Sequence, residues 1–412
     1  MVPKGWKEQS INELLEKVSN PVTVSPEKVY REIGIRSHSK GIFHKEPITG
    51  KAIGSKRVFH IEPNCLIINI VFAWEQAVAK TSDKEIGMIA SHRFPMYKPK
   101  KERCDIDYIL YLFKAKRGKH LLELASPGGA GRNKTLGQSE FSKLQLIVPP
   151  VLEQKKIAQI LSTWDKAITT TEKLLANSQQ QKKALMQQLL TGKKRLLGDD
   201  GVRFSEEWRT AVLGEIGEIK SAGVDKKIVE GEKPVRLLNF TDVFKRSFIY
   251  SNELNHWVTA PDSKVFGCNV LRGDVFFTPS SETRDEIGMS AVAAEDIPDC
   301  CYSYHVVRFR INEDWDLNFR AFAFTTGAFR KQIALFADGS GQRYVVSQDG
   351  FRSILVSYPE FEEQRAIGRV LRLAEEEVTA LQNKLDTLKQ EKKSLMQQLL
   401  TGKCRVKIEE TA

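Results

Sequence analysis

The chain has 412 residues, 41% hydrophobic and 28% charged, with a net charge of +11, the composition of a globular protein of roughly two to four domains. No apolar run reaches the ~18–20 residues of a membrane span, and the opening MVPKGWKEQS lacks the apolar core of a secretion signal. The six cysteines, at 65, 104, 268, 300, 301 and 404, include no CxxC pair, which argues against a zinc site or disulfide framework and for a reducing, cytoplasmic setting. The positive charge is uneven: residues 1–150 carry 25 Lys/Arg against 15 Asp/Glu, and residues 202–359 carry 19 against 22. Such an excess points to a polyanionic partner, nucleic acid foremost. The acidic balance of the later segment shows that charge alone does not map a binding face.

In chain order, residues 1–148 read as a mixed α/β domain, with a strand-like run at Cys65–Val71 and a short helix at Ile106–Phe113. Glu153–Thr191 then contains no proline or glycine and places Ile157, Leu161, Trp164, Ile168, Thr171, Leu175, Ser178, Lys182, Leu185 and Leu189 at alternating spacings of four and three. That spacing predicts a long helix with a coiled-coil seam. Residues 203–358 form a second mixed domain, with strands at Val275–Thr278, Tyr304–Arg310 and Ser353–Ser357 and a helix at Asn318–Phe324. A second seam follows: Ile367, Leu371, Ala374, Val378, Leu381, Leu385, Leu388, Lys392, Leu395 and Leu399. Both helices start after a proline segment and end at Thr-Gly, where Gly192 and Gly402 can take the left-handed cap. Lys182 and Lys392 sit at equivalent seam positions, either fixing register or snorkelling out.

The chain repeats itself at an offset of 210. Residues 182–196 read KKALMQQLLTGKKRL and 392–406 read KKSLMQQLLTGKCRV, identical at twelve of fifteen positions. Glu153-Gln154, Pro149 and Phe141 align with Glu363-Gln364, Pro359 and Phe351. The period is far too long for a solenoid, so this is a duplicated domain-plus-helix with pseudo-two-fold symmetry. Between the anchors the domains hardly match, as expected when a shared frame carries loops that recognise different things.

No catalytic constellation stands out. Gly128–Thr135 resembles a phosphate-binding loop, but Asn133 occupies the second required glycine position. Glu391-Lys392-Lys393 has nuclease-like spacing but lies on the long helix. The seven histidines show no ligand spacing, and neither a cofactor-binding glycine loop nor a Ser/His/Asp set is recognisable. The chain reads as a binding module without catalytic, metal or cofactor sites.

The order variable domain, long helix, variable domain, long helix, with each helix opening Pro-x-x-x-Glu-Gln-x-x-Ile and closing Leu-Met-Gln-Gln-Leu-Leu-Thr-Gly-Lys, resembles the specificity (S) subunits of type I restriction–modification systems. Trp74, Thr81–Met88, Phe94–Tyr97 and Gly273–Pro279 are similar to the frame of that family's target-recognition domains. The resemblance implies target-recognition domains at 1–150 and 202–359, a first helix and linker at 151–201, and a second helix and tail at 360–412. It implies an α+β fold whose helices pair as an antiparallel coiled coil. It also implies a non-catalytic subunit that reads a bipartite duplex DNA site, the first domain taking the 5′ half and the second the 3′ half. The helices would set the spacing and dock two modification (methyltransferase) subunits carrying S-adenosylmethionine. Restriction subunits would add ATP- and Mg-dependent cleavage, and no membrane partner is implied.

The candidate DNA-contacting residues are loop positions with long or planar polar side chains. In the first domain they are Arg132, Asn133 and Lys134, with His92, Arg93, Tyr97, Lys98, Lys100 and Lys101. In the second they are Ser280, Ser281, Thr283, Arg284, Gln342, Arg343 and Tyr344. A competing reading is a coiled-coil scaffold whose duplicated domains bind protein; another is a DNA-processing enzyme with an unrecognised active site.

Overall fold

The computed structural model describes residues 2–128, 134–221, 223–340 and 343–408. The chain divides into two compact units, Met1–Glu172 with Lys384–Ala412, and Lys173–Asn383. Each holds one globular domain and part of both long helices.

The helices span Val151–Leu189 and Phe361–Leu399, 39 residues each. Both end as the Thr-Gly motif predicts. Gly192 and Gly402 have φ of 68° and 71°, a region costly for residues with a Cβ. The Lys194 and Cys404 amides donate back to the Gln188 and Gln398 carbonyls at 3.1 and 3.2 Å, satisfying carbonyls that the helix end leaves open. Of the predicted seam positions, Ile157, Leu161, Leu175, Leu189, Ile367, Leu371, Leu385 and Leu399 are buried. Trp164, Ile168, Leu185, Val378, Leu381, Leu388 and Leu395 are partly covered.

Within each unit the helices run antiparallel. In the second, Ser178 Oγ donates to Glu377 at 3.2 Å while Lys182 pairs with Glu375. In the first, Lys392 pairs with Asp165 at 2.5 Å and Lys389 with Glu172 at 2.8 Å. The two seam lysines therefore engage acids on the opposite helix at repeat-equivalent positions.

In the first unit, a four-stranded antiparallel sheet has the order Leu15–Val18, Met96–Pro99, Leu66–Ile68, Val78–Lys80. The strand Lys7–Ser10 pairs with Gln145–Val148 just ahead of the first long helix. The core joins Trp6, Leu14, Tyr108, Phe113 and Phe141 to Ile157 and Leu161 of the first helix and Leu399 and Leu400 of the second.

In the second unit the counterpart pairing is Arg209–Val212 with Leu355–Tyr358. A five-stranded sheet runs Gly217–Lys220, Val307–Ile311, Val275–Phe277, Ser290–Ala293, Phe248–Ile249. A separate four-stranded sheet runs Trp257–Ala260, Lys233–Leu238, Ile297–Tyr302, Asn269–Val270. Phe277 lies at the centre of the core, 5.3 to 6.3 Å from the rings of Phe309, Phe324, Phe329 and Phe351. The predicted strands and short helices are all present, with ends displaced by at most three residues.

Candidate nucleic-acid interface

The duplicated motif has a physical role in both units. Gln154 is fully buried. Its Oε1 accepts from the Asp105 amide and its Nε2 donates to the Pro149 carbonyl, both at 2.8 Å. Gln364 does the same with the Asp316 amide at 3.1 Å and the Pro359 carbonyl at 2.8 Å. Asp105 and Asp316 each cap the domain helix that follows, accepting from the amides of Tyr108 and Phe319. The glutamine thus ties the start of the long helix to the capped helix of its own domain.

The neighbouring glutamate holds the end of the other long helix. Glu153 receives Arg405 Nε and Nη2 at 2.7 and 2.8 Å; Glu363 receives those of Arg195, both at 2.6 Å. These are bidentate, charge-assisted bonds. The arginines lay inside the repeated segment, but only the fold shows what they meet. Opposite charges repeated at one offset, Glu153/Glu363 against Arg195/Arg405, were the available signal.

Outside this frame the domains differ. In the first, Arg132 and Asn133 lie outside the described residues. Lys134 has its Nζ 5.7 Å from the centre of the Trp74 ring. His92 and Arg93 are exposed in the turn after Ile89–Ser91. His92 lines a cleft of about 200 Å³ with Lys17, Arg57, Phe59 and Phe94. Lys98 bonds Glu62 at 2.5 Å, and Lys100 bonds the Asn12 carbonyl at 2.6 Å. That leaves Lys101, which is exposed, without a side-chain bond among the described residues. Tyr97 must be removed from the candidates. It is 4% exposed and packs 5.0 Å from Phe141, and burial pushes its hydroxyl up to about 12. The strand is covered on both faces here, Tyr97 packing into one core cluster and Met96 into another.

In the second domain, Ser280-Ser281 pair with Arg343–Val346, whose other neighbour is Ala337–Ser340. Ser280 is also not the exposed reader expected from its loop sequence. It is buried, and its Oγ accepts from Arg343 Nε and Nη2 at 3.1 and 2.8 Å. Arg343 itself is exposed. Ser281 donates to Glu286 at 3.3 Å. Arg284 lies over the Tyr344 ring at 4.7 Å and donates to the Ala334 carbonyl at 3.2 Å. Thr283 is exposed, and Gln342 lies outside the described residues.

Ser280, Ser281 and Arg343 share a cleft of about 530 Å³ with Phe240, Phe244, Glu282, Glu286 and His305. Sequence reasoning missed Phe240, Phe244 and His305. The i,i+4 spacing of the two phenylalanines was the available signal, and their rings stack at 5.3 Å. Burial, followed by the positive charges of Lys226 and Arg343, holds His305 below its usual range. Among the described residues no cluster of His, Cys, Asp and Glu could hold a metal ion. No described helix is long and apolar enough to cross a membrane.

The sequence profile of the type I restriction modification DNA specificity domain matches residues 3–177. This segment includes the whole first domain and the Glu153-Gln154 pair. Over its first domain and the start of the first long helix the chain is therefore similar to the type I restriction modification DNA specificity family. A putative type I restriction enzyme MjaX specificity subunit from Methanocaldococcus jannaschii is 24% identical, the alignment covering 98% of this chain and 95% of that one. The fold is similar to that of solved specificity subunits. The HsdS subunit from Thermoanaerobacter tengcongensis superposes with a TM-score of 0.51 at 17% identity, over 98% of both chains. The type I restriction–modification S subunit from M. genitalium gives 0.57 at 15% identity, over 97% of this chain and 99% of that one. The identity is low and the frame is common. The two-domain plan with long helices is thus shared at low identity.

Proposed function

We propose that this chain is a specificity subunit in which each domain reads one half of a bipartite DNA site, the first domain the 5′ half and the second the 3′ half. The observation that carries this reading is the duplication of the Gln and Glu contacts beneath two domains with different sheets and different polar loops. A fixed base under a varied surface suits two readers of different sequences. The long helices act as a spacer and as the seat of two methyltransferase subunits. S-adenosylmethionine, ATP and Mg belong to partner subunits, restriction subunits among them, and this chain is non-catalytic. It works in the cytoplasm.

A spacer makes a specific demand. Inserting four residues within 174–180 lengthens the helix by about 6 Å and shifts the seam phase. In an assembled methyltransferase complex that tolerates the insert, the half-site letters stay and the gap between them changes. Mapping methylated bases in cells carrying the variant checks this; altered letters with an unchanged gap contradict the spacer role. In the first domain, Arg132→Ala relaxes one 5′ position by about 1–3 kcal/mol. Lys101→Ala weakens all sequences alike and lowers the salt slope by about one. Competition among randomised half-sites separates the two effects.

A further inference from the structure

The geometry points to Arg343 as the reader of a guanine edge in the second domain's half-site, with Ser280 as the residue that positions its guanidinium. This inference rests on the DNA-reading function proposed above.

Arg343 is exposed at the start of its strand, yet its side chain is not loose. Nε and Nη2 both donate to the buried Ser280 Oγ, at 3.1 and 2.8 Å. Ser280 is itself fixed by its strand pairing with Val345. No acceptor among the described residues meets Nη1, so the outer Nη1–Nη2 edge is free for a ligand. A planar fork held from behind loses little rotamer freedom on binding, so its hydrogen bonds select more sharply. Guanine O6 and N7 are the acceptor pair that such an edge matches in the major groove.

A phosphate also accepts two parallel bonds from arginine, and the cleft decides between them. Glu282 and Glu286 line it alongside Arg343. Glu286 is countered by Lys245 at 3.8 Å, but the Glu282 carboxylate repels a phosphate, whereas a carboxylate accepts from the N4 amino group of cytosine, guanine's partner. Phe240 and Phe244 supply apolar wall and no charge. His305 adds no compensating cation at neutral pH, because burial and then the nearby Lys226 and Arg343 charges hold it below its usual range. The cleft therefore suits the edge of a base pair better than the backbone.

The test uses the full chain assembled with its methyltransferase subunits and a duplex library randomised at both half-sites. The wild-type profile should contain a G·C pair in the 3′ half-site whose discrimination Arg343→Ala lowers on the order of 10- to 100-fold. Arg343→Lys keeps the charge but not the fork, and should fail at the same position. Ser280→Ala should relax that position and no other, by a smaller factor, and Ser280→Thr should restore it. Preferences in the 5′ half-site should be unchanged in all four variants, which also reports that the complex is assembled. Uniform weakening across all sequences with a flatter salt slope, rescued by Arg343→Lys, would make Arg343 a phosphate contact and overturn the inference. So would a profile that Ser280→Ala leaves untouched, or a 3′ half-site without a guanine-dependent position. A wild-type complex with no sequence preference at all would defeat the DNA-reading function itself, and this inference with it.

Discussion

The two units build the same joint with different numbers of bonds. In the first, Glu153 receives two N–H groups, both from Arg405, whose side chain is 43% exposed. In the second, Glu363 receives the same two from Arg195, only 20% exposed, and a third from Trp208 Nε1 at 3.2 Å. Trp6 is the tryptophan equivalent to Trp208, by the strand pairings that follow each. Its Nε1 is buried with no partner among the described residues. Both units keep the charges and the backbone contacts, while the indole hydrogen bond is present on one side only. The shared bonds are therefore the ones the joint needs, and the third is an increment.

Removing the carboxylate breaks the comparison most severely. Glu363→Ala leaves Arg195 half-buried and unpaired and should destabilise the second unit by about 3–5 kcal/mol. Glu153→Ala should cost the first unit less, about 1–2 kcal/mol, because solvent already screens Arg405. Hydrogen exchange at the start of each long helix measures the two units separately, which bulk denaturation of a two-unit chain does not. Equal losses would mean that arginine exposure does not set the strength of the joint.

Gln154→Ala and Gln364→Ala come next. Each abandons a domain amide and a proline carbonyl in a buried place, costing about 2–3 kcal/mol. Because these bonds are the same in both units, the two variants should agree within experimental error in the same exchange measurement. A large difference would show that the glutamine contact is not the common element of the frame.

The smallest effect differs between the two units. Trp208→Phe loses a hydrogen bond and should cost about 1 kcal/mol. Trp6→Phe removes a buried donor that has no partner, so the released desolvation penalty offsets the lost ring area. Thermal melting of the two variants should place Trp6→Phe above Trp208→Phe; the reverse order would show that the Trp6 indole N–H is satisfied by water.

Much of the frame was legible in one dimension, for reasons visible in particular residues. A helix seam repeats every three and four positions whatever it packs against, so Ile157 to Leu189 and Ile367 to Leu399 could be read directly. Gly192 and Gly402 marked the ends because few other residues accept their φ. The candidate interface was less legible. Tyr97 and Ser280 are polar residues in loop-like sequence, and whether each faces water depends on the strand it joins and on that strand's register. Phe240, Phe244 and His305 reach one cleft with Arg343 from segments roughly 40–100 residues away in sequence, and no local pattern encodes such a meeting.

The sequence by itself determined the duplication, the two mixed domains, the two 39-residue helices and their stops, because periodicity, caps and repeated words are local properties of a chain. Only the tertiary structure decided which charges meet. Lys182 and Lys392 find acids on the opposite helix. Glu153 and Glu363 find arginines beyond that helix's end, and Ser280 turns inward to hold Arg343. These pairings depend on antiparallel helix packing and strand register, and both are settled by burial of the cores rather than by the polar residues themselves.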